Sequence, residues 1–240
     1  MISVVIPTLN EADRLTGVIA ALRSQGEGCE VIVADGGSAD GTAQRAAVLG
    51  AKVVVNPPSR GRQLAEGAAA ASGDILLFLH ADSRFPSGGL AAIEEVLERG
   101  PPVLGGNFRL LFDGDSDFSR WLTVFYARLR ACGLYYGDSG IFVRRNVYRA
   151  LGGIRPIALM EDYDFSRRLE RAGETCCIES PPLTTSSRRF EDRSRGAIFC
   201  GWIWIHLLYH MGVSPERLAW LYDSGRRARR ATIHEMKDRP

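Results

Sequence analysis

Short apolar runs alternate with segments of helical period through the first hundred residues, and this alternation constrains the fold more than any other feature. Ile2–Pro7 is continuous and rich in β-branched residues, as a strand buried on both faces requires. Asn10 is placed to cap a helix in which Leu15, Val18, Ile19 and Leu22 recur at helical spacing. Glu30–Ala34 is a second buried run, ended by Asp35-Gly36-Gly37, and Ser38 or Asp40 opens the next helix. Lys52–Val55 predicts a third strand. Ser59–Ser72 predicts an alanine-rich helix closed by Gly73, Asp74–Leu79 a fourth strand, and Pro86–Arg99 a further helix. Strands alternating with helices form βαβ units, so the expected class is α/β with a mainly parallel sheet and helices on both faces.

The pattern changes after Gly100. Asn107–Phe112 reads as a strand, Phe118–Ala131 as a helix, Gly133–Gly140 as a glycine-punctuated loop and Ile141–Arg144 as a strand. Glu161–Ala172 is an amphipathic helix with Phe165, Leu169 and Ala172 on one side. Helices over Ser194–Met211 and Pro215–Arg230 finish the chain, and residues 231–240 read as a frayed tail. No repeat or linker interrupts the sequence. The expectation is one domain, residues 1–230. It comprises a nucleotide-binding half (1–100), a catalytic and acceptor half (101–190) and C-terminal helices (191–230).

Composition removes several classes. A chain of 240 residues, 45% apolar, can bury a real core. A net charge of +2 is too balanced for nucleic acid as the main partner. The five cysteines include no CxxC pair, which predicts reduced thiols in a cytoplasmic protein rather than a disulfide framework or zinc ribbon. Met1 leads directly into a strand, so no signal peptide is expected. No apolar stretch reaches the ~20 residues of a spanning helix.

Ligands of open parallel sheets bind beyond the carboxyl ends of the strands. Here strand one delivers Pro7, Thr8, Asn10 and Glu11. Strand two delivers Asp35 and Gly36. Strand four delivers His80, Ala81, Asp82 and Ser83. The GxGxxG and GxxxxGK[ST] fingerprints are both absent, so phosphates would not rest on a glycine-rich helix start. The remaining way to hold a diphosphate is a divalent metal on carboxylates, helped by arginine. Asp82 supplies the carboxylate. Arg60, Arg62, Arg188 and Arg189 are candidate arginines. Arg62 is favoured for a phosphate contact, because arginine beside a positive helix end asks for an anion.

"VVIPTLNE" (4–11), "VIVADGGSADGT" (31–42), "GDILLFLHADS" (73–83) and "MEDYDFSRRL" (160–169) resemble, in order, four blocks of the GT-A fold, family 2 glycosyltransferases. The resemblance implies transfer of a sugar from a UDP or GDP sugar with Mn²⁺ or Mg²⁺. It implies nucleotide contacts at Thr8, Glu11 and Asp35, a metal-binding segment at 80–83, and a catalytic base at Asp162 with Glu161 beside it. His80 stands where the family carries its first acid. That leaves Asp82 as principal metal ligand and His80 as a ligand or a phosphate or base contact. Inverting transfer needs one carboxylate to take the acceptor's proton and a cation for the leaving diphosphate. In such enzymes the 135–142 loop lies under the sugars, which implies roles for Asp138 and Ser139. Gly106, Arg188 and Arg189 complete the expected donor-sugar and acceptor set.

Other readings are weaker. Gly137-Asp138-Ser139-Gly140 resembles a serine protease segment, but a GxSxG elbow fails at Ile141. His206 and His210 stand one turn apart without the glutamate or third ligand of a zinc site. A sugar-phosphate nucleotidyltransferase would want a glycine-rich loop and a lysine near strand one. A non-catalytic nucleotide-sugar binder is the other alternative. The aromatic run Phe199, Trp202, Trp204 and Tyr209 suits a buried helix or a homodimer contact. It also suits a helix in the membrane interface, with Arg226, Arg227, Arg229 and Arg230 on anionic lipid and a lipid-linked or hydrophobic acceptor.

Overall fold

The computed structural model describes residues 1–26, 28–99, 103–187, 190 and 194–222. Seven strands form one sheet in the order β3-β2-β1-β4-β6-β5-β7. β1 (Ile2–Thr8), β2 (Cys29–Asp35), β3 (Lys52–Val55) and β4 (Ile75–Phe78) run parallel, with Val4 opposite both Val31 and Leu77. β6 (Ile141–Arg144) is antiparallel to β4 and to β5 (Gly105–Phe112), and β5 is parallel to β7 (Thr175–Thr185). The expected α/β sheet with an antiparallel extension is therefore present, and it takes strands from both sides of residue 100.

Alternation along β1 builds two cores. Ile2, Val4 and Ile6 face α1 (Ala12–Arg23), α4 (Gly89–Arg99) and α5 (Asp117–Ala131), through partners such as Leu15, Ile19, Ile93 and Leu122. Val5 faces α3 (Arg60–Ala69) and α7 (Glu161–Ala172), through Leu64, Ala68, Phe165 and Leu169. Each such side chain, fully buried, contributes about 1.5–3 kcal/mol. α8 (Arg195–His210) joins the first core at Ile198 and is capped by Ser194, whose hydroxyl accepts from Ala197 N–H. Residues 215–222 are helical. The rest of the expected last helix, its arginines and the expected tail lie outside the described residues.

Several local expectations are corrected. β7 and the short helix α6 (Arg145–Ala150) were not expected. β7 contains Pro181 and Pro182, which argue against a strand, but an edge strand tolerates them. Asn10 does not cap α1. It adopts φ 56° and its side-chain oxygen accepts from Ala39 N–H, while Glu11 holds the cap position. Gly41, at φ 84°, holds the cap position of α2 (Thr42–Val48), and the Asp40 carboxylate before it accepts from Thr42 N–H at 3.0 Å. Gly106, expected among the donor-sugar and acceptor contacts, lies in β5. A Cβ there would meet the Cys176 carbonyl oxygen at 2.0 Å, so glycine is what allows β7 to pair with β5.

Candidate functional site

The carboxyl ends of β1, β2 and β4 are tied together before any ligand arrives. Asp35 is wholly buried. Its carboxylate accepts from Thr8 Oγ1 at 3.0 Å, Ser38 Oγ at 2.5 Å, Gly37 N–H at 3.0 Å and Ser38 N–H at 2.8 Å. Expected to meet a base or ribose, Asp35 is saturated here and shapes the turn through Gly36. Gln63, which the sequence reading passed over, is buried and donates to Thr8 O at 2.7 Å and Ala34 O at 2.8 Å. It closes the gap where β1 and β2 separate.

Above these ends lies a cavity of about 380 Å³, lined by Pro7, Thr8, Glu11, Arg60, His80, Ala81 and Asp82 among others. Asn10 sits exposed at its edge of the fold. Arg60 lines the cavity; Arg62 is exposed and does not. Two residues along a helix are about 200° apart, so only one of the pair can face the cleft.

The start of α3 faces the start of α7. Arg60 opens α3, and Glu161 and Asp162 open α7. Met160 precedes them at φ 69°, a conformation that costs a non-glycine residue about 1–2 kcal/mol. Arg60 Nε lies 3.0 Å from Glu161 Oε1, and Arg60 Nη2 donates to Asp162 Oδ2 at 3.1 Å. Asp162 Oδ2 also accepts from Gly137 N–H at 2.9 Å, and Oδ1 from Tyr163 N–H at 2.8 Å. Burial pushes the Glu161 carboxyl up to about 7; Arg60 opposes this and Asp162 adds to it. Asp164, third acid of the turn, is committed to Arg155 and Arg168.

His80 Nε2 lies 2.6 Å from Arg60 Nη2. A guanidinium only donates, so Nε2 must accept and the ring proton sits on Nδ1, which is 4.0 Å from Asp82 Oδ1. In this arrangement neither His80 nitrogen offers a lone pair to a metal. Among the described residues no three His, Cys, Asp or Glu side chains cluster as a ready cage. The donor set fits a hard divalent cation that takes one carboxylate, Asp82, and completes its shell from diphosphate and water.

A second cavity, about 420 Å³, also reaches Arg60 and His80, and Asp138 and Asp162 line it. Its far wall is apolar and aromatic: Tyr136, Trp202, Trp204, Ile205 and Leu221. The two cavities thus share Arg60 and His80. Ser139 belongs to a third cavity behind Tyr136, and its hydroxyl donates to Tyr136 O at 2.6 Å. Arg188 and Arg189 lie outside the described residues. The aromatic run was legible in the sequence, with a hydrophobic acceptor as one reading, but its contact with Arg60, His80 and Asp162 was not.

The mainly parallel sheet with a cleft over the carboxyl ends of β1, β2 and β4 is a GT-A fold. The mannosyltransferase of Pyrobaculum calidifontis in complex with GDP-Man and Mn²⁺ superposes with a TM-score of 0.63, at 20% identity, over 88% of this chain and 63% of that one. Glucosyl-3-phosphoglycerate synthase of Mycobacterium tuberculosis, in complex with Mn²⁺, UDP and phosphoglyceric acid, superposes with a TM-score of 0.56, at 26% identity, over 75% and 67%. The family model described as glycosyl transferase family 2 matches residues 3–149, and the chain belongs to that family. An uncharacterised glycosyltransferase of Mycobacterium tuberculosis is 36% identical over 109 residues, 45% of this chain and 49% of that protein. The chain therefore spans about half the length of that curated relative.

Proposed function

We propose that this chain transfers a sugar, with inversion, from a UDP or GDP sugar to the hydroxyl of an apolar, lipid-linked acceptor. The observation that carries this reading is the junction of the two cavities. A polar cleft over the strand ends meets an aromatic one at Arg60 and His80, and Asp162, in the aromatic one, accepts a hydrogen bond from Arg60. In a single displacement the acceptor oxygen bonds to the anomeric carbon as the bond to the diphosphate breaks. Asp162 takes the acceptor's proton. Arg60, on the cleft side, is placed to meet the leaving diphosphate. A Mn²⁺ or Mg²⁺ ion, when bound at Asp82, supplies further charge for that leaving group. UDP, GDP-Man and Mn²⁺ in the similar structures support a donor and a cation of these kinds.

The surface of α8 supports an apolar acceptor. Phe199, Ile203, Leu207 and Met211 recur every fourth residue on its exposed side, with Trp204 beside them. Trp204 and Leu221 also line the cavity that ends at Asp162. A bilayer against this face would deliver a lipid-linked hydroxyl directly to the base, at the cytoplasmic side of the membrane. No helix among the described residues is long and apolar enough to cross a membrane. A homodimer through the same face is the competing cover.

Thermal stabilisation by UDP and GDP sugars, each with Mn²⁺, Mg²⁺ or chelator, tests the donor half. A ligand at ~100 times its Kd adds ~2.7 kcal/mol. Absence of any shift sinks it. Flotation with anionic liposomes at low salt tests the acceptor half: a protein that stays at the bottom of the gradient, or dimerises through α8, sinks the membrane reading. Replacement of the first acid by His80 favours a second reading, a non-catalytic nucleotide-sugar binder. Donor turnover separates the two.

A further inference from the structure

We propose that α8 positions the base, with His206 acting on Asp162 through Tyr136; this rests on Asp162 being the base of the proposed reaction. Both backbone N–H groups that hold the Asp162 carboxylate belong to segments gripped by histidines of α8. His206 Nδ1 lies 2.8 Å from Trp202 O, one turn back on α8, and its Nε2 lies 2.9 Å from the Tyr136 hydroxyl. A carbonyl can only accept, so Nδ1 carries the proton and Nε2 accepts from Tyr136. Tyr136 caps the 3₁₀ turn Gly137–Ser139: its carbonyl accepts from Ser139 N–H at 3.0 Å. The next residue, Gly137, donates its N–H to Asp162 Oδ2 at 2.9 Å.

The second donor is Tyr163 N–H, 2.8 Å from Asp162 Oδ1. The Tyr163 hydroxyl lies 2.9 Å from His210 Nε2, and its ring meets the His206 ring edge-on, centroids 4.8 Å apart. Trp202 stacks on the other side of His206 at 3.9 Å. Burial also lowers the His206 pKa, which keeps the ring neutral and Nε2 an acceptor. α8 lies wholly beyond the residues that the family model matches. Asp162 on α7 also lies beyond that match, so the base and the helix that positions it both belong to the part of the chain that the family model leaves out. A carboxylate held about 1 Å from its productive position can cost about a hundredfold in rate.

Tyr136→Phe deletes one oxygen and keeps the ring. His206→Phe deletes the acceptor, and His206→Gln restores one at the position of Nε2. Hydrogen exchange of the peptide covering 134–142 reads the turn without any substrate. Sugar transfer, once a donor is found, reads the base. Tyr136→Phe and His206→Phe should speed exchange within the turn, leave α8 protected, and lower kcat about tenfold or more with donor KM unchanged. His206→Gln should recover both readouts. Unchanged exchange in the turn and unchanged kcat in Tyr136→Phe and His206→Phe overturn the proposal. So does loss of protection along all of α8 with Gln and Phe behaving alike, because that reports helix docking rather than the hydrogen bond. Faster exchange rescued by Gln, in a protein that transfers no sugar, would leave the link to Asp162 standing while the proposed reaction fell.

Discussion

Arg60 and Asp162, 102 residues apart in sequence, meet at 3.1 Å where α3 and α7 both begin. The same guanidinium reaches Glu161 and His80. One cation therefore touches the proposed base, its buried neighbour and the histidine that stands where the resemblance places a first acid. It also lines both cavities. Donor diphosphate would compete for this arginine with the two carboxylates, so donor binding and base geometry are coupled through it.

Asp162→Asn keeps the shape and a hydrogen-bond acceptor for Gly137, but it cannot take a proton. Transfer should fall roughly a hundred- to ten-thousand-fold, the usual contribution of a positioned base. Stabilisation by nucleotide and Mn²⁺ should persist, since Asp82 is untouched and Arg60, no longer paired with a charge at 162, still lines the first cavity. Full turnover in this variant would move the base elsewhere in the second cavity.

Glu161 gives the site a pH signature. Its folded pKa is raised, to about 7, mainly by burial. Between the ordinary carboxyl range and about pH 7 the folded chain therefore holds a proton that the unfolded chain has lost. Stability must fall as pH rises through that window, by on the order of 1 kcal/mol per pH unit, and level off above it. Glu161→Gln should flatten this part of the profile and melt higher than the parent at pH 8. Parallel melting curves from pH 4.5 to 8 for the two proteins would refute the buried-acid account.

Much of the frame could be read from residues because local rules agree there. β3, β6 and α7 lie where composition and period put them, and β1, β2 and β4 differ by a residue or two at their ends. β7 was hidden because Pro181 and Pro182 obey edge-strand rules that only a known sheet order reveals. In the candidate site, Asp82 and Asp162 stood out in the sequence, and each lines one of the two cavities that meet at Arg60 and His80. Arg60 and Arg62 were not separable, since which one faces the cleft depends on the phase of α3 against β1. Gln63 and Gly137 act through close contacts that no short-range pattern encodes. The hydrogen bonds that Asp35 takes from Thr8 and from its own turn were not legible, because they depend on how β1 and β2 end side by side.

Asp82 and His80 make opposite predictions about metal. Asp82 is the carboxylate that the first cavity offers a cation. His80 already has its lone pair on Arg60. Asp82→Asn should abolish the Mn²⁺-dependent part of nucleotide stabilisation. His80→Gln supplies another acceptor for Arg60 and should retain that part. Loss of the Mn²⁺ effect in His80→Gln, with nucleotide binding in chelator unchanged, would instead make His80 a ligand after a ring flip.

Gly137 tests the crowding at the junction. A Cβ there would lie 2.5 Å from Arg60 Nη2, 3.2 Å from Asp162 Oδ2 and 3.2 Å from His80 Nε2. The nearest of these is the tip of a long side chain, so Gly137→Ala can be accommodated by swinging Arg60 away while the turn keeps its backbone. The fold should therefore survive, with a melting temperature close to the parent's. The active arrangement should not, because the guanidinium would leave Asp162, Glu161 and His80 together. Displacement of about 1 Å at a catalytic group is worth about a hundredfold in rate. The expected result is a well-folded protein, roughly a hundredfold slower. Its pH-dependent loss of stability should extend to higher pH, because Glu161 has lost the cation that lowers its pKa. A variant that melts like the parent and transfers sugar like the parent would show that Arg60 leaves Asp162 during turnover without cost. The pairing at 3.1 Å would then be a resting contact, not part of the working site.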